Sequence, residues 1–111
     1  MRTSVATMTV AAALMLGLSL DVMAQTRPTT TWTPAYSGNY SVGRSARIDT
    51  VVIHTIEGSA QGAISWFRNP SANVSAQYVI SYSGQIFQCV RDSDTAWHVR
   101  SYNSRAIGLE H

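Results

Sequence analysis

The sequence predicts an α/β domain, a mixed β-sheet with flanking helices. Three observations predict it. Asp49-Thr50-Val51-Val52-Ile53-His54 is a β-branched run of the kind that forms a buried strand. Ala60, Ala63, Ile64 and Phe67 then recur at helical spacing and make one apolar stripe. Two more strand-like runs follow, and another begins at Ala106. An order of strand, helix, strand, strand and again strand belongs to a sheet covered by helices.

The N-terminus comes first and stands apart. Arg2 supplies a positive charge, and Val5 to Leu20 is mostly Ala, Val, Leu and Met with no charged residue. Val22-Met23-Ala24 offers short residues where a signal peptidase cuts. This is the three-part layout of a secretory signal peptide over residues 1–24. A membrane anchor is the rival reading, but the run falls short of the roughly 20 residues that span hydrocarbon, and Asp21 closes it. The expectation is an exported protein, periplasmic or extracellular, with no transmembrane segment after cleavage and a mature chain that starts at Gln25.

Residues 25–47 are rich in Thr, Ser, Pro and Gly, with Trp32, Tyr36 and Tyr40 interspersed. They read as an extended lead-in whose aromatics pack on the domain. The domain proper spans 48–111. Within it Glu57-Gly58 ends the first strand, and Ser59 is placed to cap the helix. Asn69-Pro70 stops that helix, because a residue before proline avoids helical geometry. Ser75 to Tyr82 and Gln85 to Val90, around Ser83-Gly84, read as a β-hairpin. The polar stretch from Arg91 to Arg105 reads as a loop. Ala106 to His111 opens a strand whose apolar and small residues suit the middle of a sheet, so the domain looks unfinished at its C-terminus.

Composition narrows the function classes. All eight basic residues are Arg, against six acids, for a formal charge of +2. The arginines are scattered, which gives no nucleic-acid signature. Cys89 is the only cysteine and cannot pair within the chain; its apolar setting predicts a buried thiol. No HExxH helix, paired-cysteine zinc motif, GxSxG elbow or phosphate-binding glycine loop occurs. Three other positions stand out. His54 lies where a strand hands over to a loop, the end at which α/β sheets collect their sites, and imidazole there is either a metal ligand or a structural hydrogen-bonding group. Glu110 ends an apolar strand run, where burial would raise its carboxyl toward a general base's range; an exposed edge glutamate is the alternative. His98 beside Trp97 is a substrate contact or an ordinary loop side chain.

Four blocks carry a resemblance: Ile48 to Thr55, Asn73 to Ile80, Asp94-Thr95-Ala96-Trp97-His98, and Asn103 to Glu110. In this order they resemble the type 2 N-acetylmuramoyl-L-alanine amidases, whose fold is shared by the peptidoglycan recognition proteins. The resemblance implies a hydrolase of peptidoglycan catabolism. Its members cut the amide between N-acetylmuramic acid and the L-alanine of the stem peptide, using one zinc ion and a glutamate. It implies His54 as a zinc ligand, Glu110 as the catalytic glutamate, and His98, Trp97 and Asn103 as substrate-binding residues. The expected partners are peptidoglycan or muropeptides. The family's other two zinc ligands lie further downstream, and a non-catalytic peptidoglycan-binding module is the alternative. Two departures are visible: Gln77 stands where many relatives have His, and Val99-Arg100 replaces a small Ala-Gly pair.

Overall fold

The computed structural model describes residues 26–111. The segment read as a signal peptide lies outside the described residues. Among the described residues, seven short strands, one α-helix and two 3-10 turns follow one another: β1 (Thr31–Trp32), a 3-10 turn (Ser37–Asn39), β2 (Tyr40–Ser41), β3 (Thr50–His54), α1 (Ala60–Arg68), β4 (Tyr78–Ile80), β5 (Ile86–Gln88), β6 (Thr95–Ala96), a second 3-10 turn (Arg100–Arg105) and β7 (Ala106–Glu110).

Five strands form a mixed sheet in the order β1-β5-β4-β7-β3, and β2 pairs with β6 in a separate two-stranded ribbon. β7 lies between β3 and β4 and is parallel to both, while β4 and β5 run antiparallel. β7 is therefore interior, as its small and apolar residues predict. The hairpin closes where Gly84 N–H donates to Ser81 C=O over 2.9 Å, with Gly84 at φ 88°. That left-handed geometry favours glycine.

α1 starts at the residue its sequence marks. Ser59 Oγ accepts from the Gly62 N–H over 3.0 Å, meeting one of the donors a helix start leaves free. The far end has a partner that no local pattern names. Asn39, fully buried, donates from Nδ2 to the carbonyls of Phe67 and Asn69 and accepts the Asn73 N–H at Oδ1. The lead-in thus satisfies carbonyls that α1 would otherwise leave open. Ile64 and Phe67 of α1 pack with Ala35, Val79, Phe87, Cys89 and Val90 to form the core. At roughly 25 cal/mol per Å² of apolar surface, burying each large side chain contributes about 2 kcal/mol.

The segment from Arg91 to Arg105 departs from its reading as a loop, because it contains β6 and a 3-10 turn. β6 forms only because the distant β2 supplies its partner, with Tyr40 opposite Ala96. Pairing of that kind leaves no period in so short a stretch. No helix among the described residues is long and apolar enough to cross a membrane.

Candidate active site

β3 and β7 end together. Their parallel register sets His54 opposite Glu110, and because partners in register share a face, both side chains project on the side of the sheet that α1 covers. They open into one cleft of about 480 Å³, walled by Ser59, Gly62 and Trp66 on one side and by Trp97 and His98 on the other. Burial pushes the Glu110 carboxyl up, and the nearby His54 opposes the shift. A carboxylate raised in this way is a better proton acceptor than a solvated one.

His98 is held from three sides. Its ring lies against β7 at Gly108, where a Cβ would fall 2.8 Å from ring atoms. Only glycine leaves room there. Its Nδ1 is 3.0 Å from His54 Nε2, with the rings edge to face; which nitrogen donates depends on the tautomers. Its backbone N–H, with that of Val99, donates to Asn103 Oδ1 over 2.9 and 2.7 Å. Burial, then the charges of His54 and Arg44, hold the His98 ring down to about 4, so it is neutral near pH 7. Its buried Nε2 has no hydrogen-bond partner among the described residues.

The structure therefore brings His54, Trp97, His98 and Glu110 to one cleft. Asn103 stands behind it, with its side-chain oxygen turned to the loop backbone. Trp97 is fixed at its outer edge, where Nε1 donates to Ser41 Oγ over 2.9 Å.

Other residues support these without having been marked as site residues by the sequence. Arg44 donates to the backbone carbonyls of Asp92, Ser104 and Ala106 over 2.7, 3.0 and 3.1 Å, gripping both ends of the loop that carries Trp97 and His98. Gln77, fully buried, accepts the Gly108 N–H over 2.7 Å and donates to the Asp94 carbonyl over 3.2 Å. It joins the strand under His98 to the loop above it. Arg100, where the resemblance has glycine, sits at φ 57°. A long side chain occupies a backbone position that glycine adopts without strain.

Comparison with known proteins gives this cleft its context. Residues 44–111 match the model of the N-acetylmuramoyl-L-alanine amidase family. The chain belongs to that family. It is 53% identical over 81 residues to N-acetylmuramoyl-L-alanine amidase A of Achromobacter lyticus, a match covering 72% of this chain and 45% of that protein. The chain thus spans somewhat less than half the length of this curated relative. Among solved structures it is similar in fold to the catalytic domain of XlyA (TM-score 0.58, 18% identity, 75% of this chain and 60% of that one). A mutant endolysin from Bacillus subtilis is matched at TM-score 0.59 and 18% identity, over 76% of this chain and 60% of that one. PGRP-Hd from Alvinella pompejana follows at TM-score 0.55 and 12% identity, over 77% and 64%. The fold expected from the sequence, a mixed sheet with helix of the amidase type, is the fold observed.

Among the described residues of this amidase-family domain, the donors for zinc fall short. His54 is of the right type, since zinc sites commonly take imidazole nitrogen. Among the described residues, however, no three His, Cys, Asp or Glu side chains are grouped so as to hold an ion. His111 does not fill the gap. It follows Glu110 directly and lines a separate hollow with Thr55, Ile80 and Tyr82, as alternation along a strand requires.

Proposed function

We propose that this protein is a peptidoglycan hydrolase that cuts the amide joining N-acetylmuramic acid to the L-alanine of the stem peptide. The observation that carries the reading is the meeting of His54 and Glu110 at the ends of two paired strands, in one cleft, with the glutamate's carboxyl raised by burial. Glu110 takes a proton from the attacking water, whose oxygen bonds to the lactyl carbonyl carbon. It returns the proton to the alanine nitrogen as the carbon–nitrogen bond breaks. The products are a lactyl carboxylate on the sugar and a free amine on alanine. His98, neutral, and Trp97 contact the substrate, and Asn103 sets the loop that carries them. His54 is the zinc ligand from this portion of the domain; when bound, zinc would polarise the scissile carbonyl. Export to the periplasm or beyond is the location read from the N-terminal sequence, and it suits a peptidoglycan substrate.

A second reading is a peptidoglycan-binding module without turnover, favoured by the shortage of zinc donors among the described residues. One experiment separates the two. Purified muramoyl-peptide is incubated with the protein in zinc-containing buffer, and new alanine N-termini are counted. The amidase reading expects alanine amines and peptide-free glycan in equal amounts. Tight binding of the muropeptide with no new amine would leave the binding module instead.

A further inference from the structure

α1 carries two stripes. One, with Ile64 and Phe67, is buried in the core. The other, Ser59, Gly62, Ala63 and Trp66, is spaced as neighbours on one helix face and lines the cleft that holds His54 and Glu110. Trp66 is 48% exposed, so the core does not account for it. Gly62, one turn earlier, has no side chain, and Ser59 Oγ is committed to the Gly62 N–H. The indole therefore has a glycine and a short hydroxyl beside it along the helix, with open cleft between.

The charges of the cleft point to a neutral occupant. Its titratable lining residues are His54, Glu57, His98 and Glu110, and no arginine is among them. Arg44 is spent on backbone carbonyls, Arg27 on Asp92, Arg105 on Asp49, and Arg91 lies over Trp32. Apart from the zinc that His54 would hold, a peptide bearing free carboxylates finds no arginine in the lining to pair with, and Glu57 and Glu110 disfavour it. A sugar ring suits it better. One face of a pyranose is a patch of C–H groups that carry slight positive charge, and an indole offers a flat, electron-rich face to meet them.

We propose that Trp66 is the platform on which the muramic acid ring stacks, so that the glycan lies along α1 and its lactyl amide is directed toward Glu110. Naming the sugar rests on the amidase reading; the stacking site rests on α1 and the charge of the cleft. The test is calorimetric titration with two probes, the peptide-free neutral lactyl amide of N-acetylmuramic acid and the stem peptide without sugar. Trp66→Ala is expected to weaken the sugar amide about tenfold or more, as for other ring stacking on aromatics, and to leave the peptide unchanged. Trp66→Phe should stay within about threefold of wild type, whereas Trp66→Leu, apolar but not flat, should behave like alanine. Because Trp66 is half-exposed, thermal midpoints of all three variants should stay close to wild type and show that the fold is intact. The proposal is overturned if Trp66→Ala binds the sugar amide normally, if leucine serves as well as phenylalanine, if the loss falls on the peptide, or if the wild type has no affinity for the sugar amide. Cleavage is scored separately. Trp66-dependent sugar binding without cleavage would remove the amidase reading and keep the platform, while cleavage indifferent to Trp66 would do the reverse.

Discussion

The two faces of the sheet use the same strands in opposite ways. On the face under α1, Val79 and Phe87 are buried and Gly108 is stripped to backbone so that His98 can lie on it. His54 and Glu110 end that face half-buried. On the other face the intervening residues are as apolar, yet Val51 and Ile53 are 61% and 64% exposed. Hydrophobic character alone therefore does not locate the site. What distinguishes the α1 face is burial, which raises the Glu110 carboxyl, and a floor thin enough to admit a histidine ring. Chemistry gathers where the sheet is both covered and hollowed.

Several substitutions sharpen or break that contrast. The largest effect is expected at His54. His54→Ala should bring muramoyl-alanine cleavage down to background while far-UV circular dichroism stays native, because the ring touches the cleft rather than the core. Next is Gly108→Ala. A methyl 2.8 Å from the His98 ring forces a shift in well-packed surroundings, at a cost of about 1–3 kcal/mol in denaturant unfolding, with cleavage falling as well. Gln77→Leu should cost a similar amount by leaving the Gly108 N–H and the Asp94 carbonyl without partners. The opposite face should be indifferent by comparison. Ile53→Thr, exposed on the opposite face and outside the cleft lining, is expected to change stability by no more than about 0.5 kcal/mol and turnover not at all. An equal loss of turnover from Ile53→Thr and Gly108→Ala would erase the distinction between the faces.

Smaller changes probe the rim. Arg100→Gly relieves a left-handed residue and should raise stability by up to about 1 kcal/mol, measured as a higher thermal midpoint. Asp49 and Arg105 form an exposed pair, and its hydrogen bond to Arg105 holds the Asp49 carboxyl down to about 2. A carboxyl lowered on folding stabilises above its ordinary value near 3.8, and that contribution is lost as pH falls toward 2. Solvent screening keeps it small. Asp49→Asn should therefore lower stability slightly at neutral pH, with the difference from wild type closing as pH falls through those two values, so that the acid limb is flatter.

Much of this architecture was legible in the chain because it is local. Ser59 as a cap, the Asn69-Pro70 stop, the β-branched run to His54 and the Ser83-Gly84 hairpin each depend on neighbours within a few residues. β7 as an interior strand followed from its small residues. The rest depends on partners far along the chain. β6 exists through β2, α1 ends on Asn39, and Arg44 reaches carbonyls from 92 to 106. Nothing near Arg44 announces that reach. At the cleft, His54 and Glu110 drew notice as polar groups ending apolar runs, whereas Gly108 and Gln77 have roles visible only once His98 is set against β7. Trp66 sat one position off the core stripe, where a sequence reading passes over it.

The central claim is that Glu110 moves the proton in a cleft where burial has raised its carboxyl. Glu110→Gln keeps the side chain's size and shape but cannot accept a proton. The direct measurement is the rate of alanine-amine release from muramoyl-peptide by this variant beside wild type, with muropeptide affinity measured on the same samples. Affinity should be nearly unchanged and the rate lower by about two to four orders of magnitude, the usual contribution of a positioned acid-base group. A variant that binds and cleaves at close to the wild-type rate would contradict the account and leave Glu110 a half-buried strand end with no part in the chemistry.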